Sequence, residues 1–201
     1  MTKLAQFCAN PSNDHITAAK HVLRYLKGTI TQHIRYDGEA SEGMFGYSDS
    51  DWAGDRDDRK SMGAYIFLLA SGPIAWSSRK QHVVSLSSTE AEYMSLSQAA
   101  TQATWIRSLL KEVGFSQGRG TILYGDNKGS VDISNNPIIG RGTKHIDVRS
   151  HYIRQCVQDG TISLHRLPSA SIIADTLTKA LAFPTFQIYR SAMGLTDIYA
   201  Q

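Results

Sequence analysis

Four acidic side chains in this sequence could carry out metal-dependent chemistry if the fold brings them together. They are Asp49 in "YSDSD", Glu92 in "TEAEY", Asp126 in "YGDN" and Asp175 in "IIAD". Carboxylate oxygens are the ligands that Mg²⁺ and Mn²⁺ prefer, and no His or Cys residues cluster at zinc spacing. Two such ions, held by carboxylates, suit the hydrolysis of a phosphodiester.

Two acidic residues of one predicted helix point to different sides of that helix. Ser87 and Glu90 form the pattern of a capping box, and apolar residues at helical spacing continue to about Val113. Glu90 and Glu92 lie about 200° apart around this helix, so they cannot share a face. Capping explains Glu90, whereas Glu92 heads the row that we expect to be buried, where a carboxylate is costly unless it is paired or metal-bound. A Glu just outside the core, favoured by the helix dipole, is an equal alternative.

Each aspartate also has an ordinary structural explanation. Asp126 could cap the next helix, and Asp175 could complement the dipole of the helix that it begins. Asp49 and Asp51 would share a strand face with aromatic residues, but both would be solvated if the strand ended at Ser48. The structural explanation is favoured for Asp126 and Asp175 taken singly, so the metal hypothesis depends on the whole set.

The elements that must position these acids follow from the hydrophobic pattern. An amphipathic helix, capped at Asn13 or Asp14, ends at Gly28, and a linker follows at residues 39–43. Three strands in a meander come next, and strands then alternate with helices, which predicts an α/β domain with a mixed sheet. The predicted strands are "MFGYSDS", "AYIFLLA", "PIAWSS", "TILYGD" and "TISLHRL"; the later helices lie in "NKGSVDISNNP", "HIDVRSHYIRQCVQDG", "IIADTLTKAL" and "AFPTFQIYRSAMGL".

Composition sets the limits of this interpretation. With 201 residues and 41% hydrophobic content, the chain can form one domain and an appendage. A net charge of +3 permits an anionic partner but is smaller than the strong excess of basic residues that is typical of a DNA-coating protein. Two separated cysteines favour a reducing compartment, and without a long apolar run or a leader after Met1 we expect a soluble chain with no membrane partner. The three tryptophans are predicted to be core residues: Trp52, Trp76 and Trp105.

Several motifs in order resemble one known family. They are "YSDSDWAGDRDDRKSMGAYIFLL", "AWSSRKQHVVSLSSTEAEYMSLSQAA", "YGDNKGSV", "TKHIDVRSHYIR" and "IIADTLTKAL". Together they strongly resemble the ribonuclease H domain of copia-type LTR-retrotransposon polyproteins. The similarity covers residues 44–195, while residues 1–40 resemble the helical connector from the reverse transcriptase side and residues 196–201 form a tail.

The resemblance implies a ribonuclease H-like fold, with a five-stranded mixed sheet flanked by helices and a helical extension before it. It implies an endoribonuclease that hydrolyses the RNA strand of RNA/DNA hybrids with two Mg²⁺ ions, for which Mn²⁺ could substitute. Asp49, Glu92, Asp126 and Asp175 would then be both catalytic residues and metal ligands, and Asp51 would begin a loop. The reverse transcriptase domain of the same polyprotein becomes the expected partner, and cytoplasmic virus-like particles or the nucleus the expected location.

Substrate contacts are predicted from basic and polar residues near the motifs, because a hybrid is held through its phosphates. The candidates are Arg79, Lys80, Gln81, Asn127, Lys144 and His145. For Arg79 and Lys80 a solvated turn is equally favoured, and for Lys144 and His145 capping and packing of the next helix are equally favoured. The loop "LPSASII" also lacks the His that cellular ribonucleases H carry before the last Asp, which predicts slower catalysis.

Two other functions compete with this interpretation. A catalytically silent module of the same fold, binding hybrids or connecting to the polymerase, would not need all four acids. An integrase-type strand transferase on the related fold needs a catalytic Glu on a helix after Asp126, but no Glu occurs after residue 112. The hybrid-cleaving enzyme is therefore the leading hypothesis.

Overall fold

The computed structural model of the protein describes residues 2–38, 42–55, 57–135 and 144–197, with side chains described for residues 4–38, 42–55, 57–132 and 151–197. Its helices are α1 (Thr2–Ala5), α2 (Asn13–Gly28), α3 (Ser88–Glu112), α4 (Lys128–Asn135), α5 (Lys144–Gln158), α6 (Asp175–Thr178) and α7 (Phe183–Ala192), with a 3₁₀ turn at Ser169–Ser171. Its strands are β1 (Gln32–Ile34), β2 (Phe45–Ser50), β3 (Met62–Leu69), β4 (Gly72–Lys80), β5 (Thr121–Gly125), β6 (Ile162–Arg166) and β7 (Leu195–Asp197).

Five of these strands form one mixed sheet in the order β4, β3, β2, β5, β6. The strands β2, β3 and β4 are antiparallel neighbours, as a meander requires, whereas β5 runs parallel to both β2 and β6. Parallel neighbours need crossover connections: α3 lies in the chain segment that joins β2 and its meander to β5, and α4 and α5 lie between β5 and β6. The predicted five-stranded mixed sheet with flanking helices is therefore confirmed.

Apolar side chains cover both faces of this sheet. On one face, α3 and α5 pack against strand residues that include Phe67 and Leu123. On the other face, Ile66 and Leu68 pack with the segment before α6 and with Tyr189 of α7. Because successive strand residues point to opposite faces, β3 contributes to both cores. The central strand β2 is thus fixed from both sides.

Helix α3 begins as the sequence predicts. The Ser87 hydroxyl accepts a hydrogen bond from the Glu90 backbone N–H at 3.1 Å, and the Glu90 carboxylate accepts one from the Leu86 N–H at 2.7 Å. Glu92 is buried together with most of the row that it heads. The buried members of the row are Leu96, Ala99, Ala103 and Ile106. The expected division between a capping Glu90 and an inward Glu92 is confirmed.

One buried hydroxyl joins α3 to the two strands beside it. The Ser95 oxygen lies 2.8 Å from the Asp49 carbonyl oxygen and 2.9 Å from the Ala64 carbonyl oxygen. It also accepts hydrogen bonds from the Ala64 N–H and from the Ser48 hydroxyl, both at 3.1 Å. These contacts hold α3 at a defined position along β2, directly behind Asp49.

The N-terminal helix α2 presents its apolar stripe to solvent. Ser12 caps this helix, just before the predicted cap, and none of its residues is buried. The side of α2 that approaches the domain brings the Tyr25 ring to 6.5 Å from the Phe186 ring of α7. The exposed stripe consists of Ile16, Ala19, Leu23 and Leu26. In the described part of the chain, no helix combines the length and the apolar character that crossing a bilayer requires.

Two short strands, β1 and β7, form a separate antiparallel ladder that joins the N-terminal extension to the C-terminal part of the chain. His33 pairs with Thr196 at the centre of this ladder. Beyond β1, the Tyr36 hydroxyl donates a hydrogen bond to the Pro73 carbonyl oxygen at 2.7 Å. The extension is therefore bonded to the domain at several points.

The helix predicted in "IIADTLTKAL" is only one turn long, from Asp175 to Thr178. The three residues before it are all buried against the sheet: Ile172, Ile173 and Ala174. Consecutive residues of a regular helix point in directions about 100° apart, so a helix could not bury all three on one flat surface. Packing against the sheet therefore overrides the helical pattern here.

The prediction that the three tryptophans lie in the core is wrong, because Trp52, Trp76 and Trp105 are between 56% and 60% exposed. Trp52 follows β2 in a turn, where its indole N–H donates a hydrogen bond to the Ser85 carbonyl oxygen at 3.2 Å. Trp76 lies on the edge strand β4, and Trp105 lies on α3 outside its buried row. An indole is amphipathic, so its size alone does not place it in a core.

We expect Ser95→Ala to lower the free energy of unfolding by about 1–3 kcal/mol, because the buried contacts of its hydroxyl with the Asp49 and Ala64 backbone would be lost. Urea unfolding followed by circular dichroism measures this change. Ser108→Ala is the matched control, since that hydroxyl lies on the exposed face of the same helix. Equal stability of Ser95→Ala and the wild type would contradict the role assigned to Ser95.

Candidate metal centre

Three of the four predicted acids meet at one end of the sheet. Asp49 lies near the end of β2, Glu92 in the early part of α3, and Asp126 directly after β5. Each offers one carboxylate oxygen, and these three oxygens all lie within 4.8 Å of one another. Asp49 is 1% exposed and Glu92 is 8% exposed. We call Asp49, Glu92 and Asp126 the three-acid site.

Asp49 keeps one carboxylate oxygen without a hydrogen-bond partner. Its Oδ2 atom accepts a short hydrogen bond from the Thr178 hydroxyl and lies 3.6 Å from the Lys179 Nζ atom. Its Oδ1 atom is buried and has no hydrogen-bond donor. A buried carboxylate oxygen without a donor is unfavourable unless a cation coordinates it. This oxygen, with two further acids close by, fits a hard divalent cation.

Burial and mutual repulsion raise the pKa values of two acids in the site. Burial, and then the charges of Asp49 and Asp126, raise the pKa of Glu92 to about 9, although Glu92 accepts a hydrogen bond from the Ser50 N–H at 3.1 Å. Burial also raises the pKa of Asp49 to about 6, against the opposing effect of the Thr178 hydrogen bond. Positive charge in the site would relieve this repulsion.

Asp126 does not cap the helix that follows it. The side chain of Asn127 does so, because its Oδ1 atom accepts a hydrogen bond from the Ser130 N–H at 2.9 Å. The Asp126 Oδ2 atom instead accepts a hydrogen bond from the Ser169 hydroxyl at 2.6 Å. The Arg166 Nε–H donates to the Asp126 carbonyl oxygen at 3.0 Å. The capping explanation considered for Asp126 therefore applies to its neighbour.

Asp175 lies beside the three-acid site and is not one of the three residues whose oxygens all lie within 4.8 Å of one another. It is buried at the start of α6, and its Oδ1 atom lies 2.9 Å from the Lys179 Nζ atom. Its negative charge contributes to the raised pKa of Asp49, so the two carboxylates are close neighbours. The fourth predicted acid thus approaches the site from the side of Asp49.

Asp51 begins the loop after β2, as expected. Its Oδ1 atom accepts a hydrogen bond from the Met62 N–H, which closes the loop onto the start of β3. A Cβ atom on Gly54 would lie 2.0 Å from the Asp51 Oδ2 atom, so any larger residue at that position would displace the Asp51 carboxylate. Asp51 shapes the turn beside the site and does not point into it with the three acids.

Gln81 is buried, and its side-chain amide makes hydrogen bonds to other residues of the protein. Gln81 is 1% exposed, and its Nε2 atom donates to the Ala91 carbonyl oxygen at 2.9 Å. Its Oε1 atom accepts a hydrogen bond from the Ser85 hydroxyl at 3.0 Å. We therefore correct the expectation of a substrate contact, because this side chain supports the start of α3.

The other predicted substrate contacts have different surroundings. Lys80 lies between two carboxylates, 2.6 Å from Asp55 and 3.0 Å from Asp58, so a substrate phosphate would have to compete with both. Arg79 is exposed on the edge strand β4. Lys144 and His145 begin α5, but their side chains lie outside the described part of the structure.

Sequence reasoning missed three residues that contact the acids: Ser169, Thr178 and Lys179. The sequence contains a signal for Thr178 and Lys179. The helix predicted in "IIADTLTKAL" places residues three and four positions after Asp175 on the same side as Asp175. Ser169 gave no local signal, since it lies in an irregular loop more than 40 residues from its partner Asp126. Only the packing of that loop against the end of β5 brings the two together.

The sheet order and the acids at its end define a protein with the ribonuclease H-like fold. Among solved structures, LC11-RNase H1, isolated from compost, is similar, with a TM-score of 0.51 and 14% identity over 67% of this chain and 91% of that one. The foamy viral protease-reverse transcriptase in complex with an RNA/DNA hybrid gives a TM-score of 0.50 and 10% identity over 73% of this chain and 21% of that one. These likenesses support the fold.

Sequence comparison identifies the family more closely, although no protein-family model matches the chain. The chain is 40% identical over 198 residues to the retrovirus-related Pol polyprotein from transposon RE1 of Arabidopsis thaliana. The alignment covers 98% of this chain, which spans 14% of the length of that polyprotein. The chain belongs to the ribonuclease H domains of copia-type retrotransposon Pol polyproteins, as its motifs predicted.

We expect Glu92→Gln to stabilise the metal-free protein at pH 8. The pKa of Glu92 rises from its ordinary value of 4.5 to about 9 on folding, so the folded state holds a proton that the unfolded chain releases. Stability therefore falls as pH rises through this interval, and glutamine removes that loss. Each kcal/mol regained raises Tm by about 2–4 °C.

Thermal unfolding in a metal chelator, measured from pH 5 to pH 9, tests this expectation. The advantage of Glu92→Gln over the wild type should grow as pH rises. Glu90→Gln is the control on the same helix, because Glu90 lies outside the three-acid site. A constant difference between Glu92→Gln and the wild type at every pH would contradict the assignment.

Proposed function

We propose that this protein is an endoribonuclease that hydrolyses the RNA strand of RNA/DNA hybrids during retrotransposon reverse transcription. The observation that carries the proposal is the three-acid site, in which a buried oxygen of Asp49 has no donor and burial, with the nearby acids, raises the pKa of Glu92. Membership of the Pol ribonuclease H family supports the choice of substrate. A similar fold occurs in a viral reverse transcriptase that was solved with an RNA/DNA hybrid.

The proposed cofactor is a pair of Mg²⁺ ions, with Mn²⁺ as a substitute. Asp49, Glu92 and Asp126 would hold them, with Asp175 as a further ligand on the Asp49 side. All four donors are carboxylates, which suits these ions better than zinc or copper. When bound, such ions activate water and neutralise charge on a phosphodiester.

The protein's own contribution is to hold the acids in place before substrate arrives. The Ser50 N–H fixes Glu92, the Ser169 hydroxyl fixes Asp126, and the Thr178 hydroxyl fixes Asp49. Each of these donors contacts one carboxylate oxygen. Groups that orient ligands in this way commonly change metal affinity or activity when they are mutated.

The hybrid would be held through its phosphates by side chains near this end of the sheet. Arg79 is exposed and available, and Lys144 and His145 begin α5, so all three remain proposed contacts. Asn127 caps α4 beside Asp126, so any contact that it makes would be additional to capping. The exposed indole of Trp52, in the turn after β2, joins this set as a candidate for packing against a sugar or base.

Cleavage of a labelled RNA/DNA hybrid in Mg²⁺ tests the function. We expect Asp49→Asn and Glu92→Gln to lose more activity than the roughly 10–100-fold typical of residues that only support metal ligands. Glu90→Gln should retain activity, because Gln can still accept the Leu86 N–H bond that Glu90 accepts. The RNA strand should be cut, while single-stranded RNA and duplex DNA should persist.

Two results would contradict the proposed activity. If the wild type and Asp49→Asn cleave equally, the three-acid site is not the catalytic site. If neither cleaves but both bind the hybrid, the alternative of a catalytically silent binding or connector module is favoured. Hybrid binding measured by fluorescence anisotropy in a metal chelator separates these outcomes.

We further propose that residues 1–40 act as a connector and that the exposed stripe of α2 packs against the reverse transcriptase domain of the same polyprotein. An apolar stripe of this length is unfavourable in water unless another surface covers it. The chain spans only 14% of the polyprotein relative described above, so further domains are available there as partners. Particles that contain the polyprotein, in the cytoplasm or nucleus, are the corresponding proposed location.

The double substitution Leu23→Ser with Leu26→Ser should weaken binding to a copia-type reverse transcriptase domain by at least about 10-fold, because each buried leucine contributes roughly 1.5–3 kcal/mol. His21→Ser with Arg24→Ser is the control, because both residues are exposed and lie away from the apolar stripe around α2. Surface plasmon resonance measures both. Unchanged affinity of the leucine variant would refute the proposed surface.

A further inference from the structure

Lys179 places a positive charge against two of the proposed metal ligands. Its Nζ atom lies 2.9 Å from the Asp175 Oδ1 atom and 3.6 Å from the Asp49 Oδ2 atom. The ammonium therefore bridges a pair of neighbouring carboxylates that would otherwise repel each other.

The position of Lys179 allows its ammonium to leave these carboxylates. Helix α6 ends at Thr178, and Lys179 has an extended backbone with φ −127° and ψ 151°. Its side chain is 41% exposed, whereas Asp49 beneath it is 1% exposed. A long and partly exposed lysine side chain can rotate into solvent without disturbing the core. Thr178 would still hold Asp49 after such a rotation.

A divalent cation and the Lys179 ammonium would compete for the same negative charge. A cation bound to Asp49 or Asp175 would lie close to the ammonium, and two positive charges at short range repel each other. Lys80 provides a contrast, because it is paired with Asp55 and Asp58, which are not members of the three-acid site. Lys179 would therefore compete with a metal ion because of where it lies, whereas Lys80 would not.

We infer that Lys179 is a built-in counter-ion that positions Asp49 and Asp175 while the site is free of metal and gives up these carboxylates when a divalent cation binds. This inference rests on the proposed metal site and adds a positioning residue to it. Lys179 would keep the metal-free site assembled and would limit the affinity for metal. It would also make the release of a bound ion easier, because the ammonium returns as the ion leaves.

Isothermal titration calorimetry with Mn²⁺, in the absence of nucleic acid, tests the inference directly. We expect Lys179→Gln to bind Mn²⁺ about 3–10-fold more tightly than the wild type, since one competing charge is removed. Lys179→Arg keeps the charge and should bind as the wild type does. Lys111→Gln is the matched control, because Lys111 is 19 residues along α3 from Glu92, about 28 Å away.

Thermal unfolding separates this role from an ordinary structural one. In a metal chelator, Lys179→Gln should have a lower Tm than the wild type, because Asp49 and Asp175 lose their shared counter-ion. At saturating Mn²⁺ this difference should become smaller or reverse. A purely structural lysine would instead lower Tm equally in both conditions and leave the Mn²⁺ affinity unchanged.

A second measurement uses the wild type alone and does not depend on the folding of a variant. Acetylation of lysines by acetic anhydride, followed by mass spectrometry, reports the accessibility of each ammonium. Mn²⁺ should increase the labelling of Lys179 and leave the labelling of Lys111 unchanged. Decreased or unchanged labelling of Lys179 in the presence of bound Mn²⁺ would overturn the inference.

The outcomes also distinguish the inference from the proposal on which it rests. If the wild type binds no divalent cation, both fail. If the wild type binds Mn²⁺ but Lys179→Gln binds it equally or more weakly, only the role of Lys179 fails. If Lys111→Gln tightens binding as much as Lys179→Gln does, net charge explains the effect and the inference is again overturned.

Discussion

The burial of several carboxylates at one end of the sheet is the constraint on which the rest of this structure depends. Asp49 and Glu92 are almost inaccessible to water, and Asp126 lies against both. Removing such groups from water is unfavourable unless donors or cations compensate them. The surrounding elements supply these compensating groups: the end of β2, the loop after β6, the Thr178 hydroxyl of α6, and the ammonium of Lys179 directly after α6.

The sequence predicts those elements of the site whose side-chain directions follow from the regular period of a helix or strand. The 25-residue helix α3 has a clear start at Ser87, so the direction of every side chain on it follows from counting, and Glu92 could be distinguished from Glu90. The meander and the later strands could be predicted for the same reason, because apolar runs bounded by turn residues give a strong signal. The four acids could be proposed as a set from their carboxylate chemistry, and the family resemblance then assigned them their roles.

The rest depends on contacts between distant residues, which leave no periodic pattern. Ser169 reaches Asp126, and Thr178 reaches Asp49, only after the chain has folded back across the sheet. Gln81 follows a strand and precedes a polar loop, and nothing local reveals that its amide is enclosed. Tryptophan is large and mostly apolar, yet a turn, an edge strand and a position on α3 outside its buried row leave Trp52, Trp76 and Trp105 exposed. These outcomes are properties of the assembled tertiary structure.

The ladder between β1 and β7 has a consequence for how the chain can be divided. The extension is held to the domain by this ladder, by the Arg35 N–H bond to the Gly194 carbonyl oxygen, and by the Asp37 N–H bond to the Ala70 carbonyl oxygen. If a single peptide bond between β1 and β2 were hydrolysed, these hydrogen bonds would be the contacts that join the first helices to the domain. Release of those helices would then require the ladder to open.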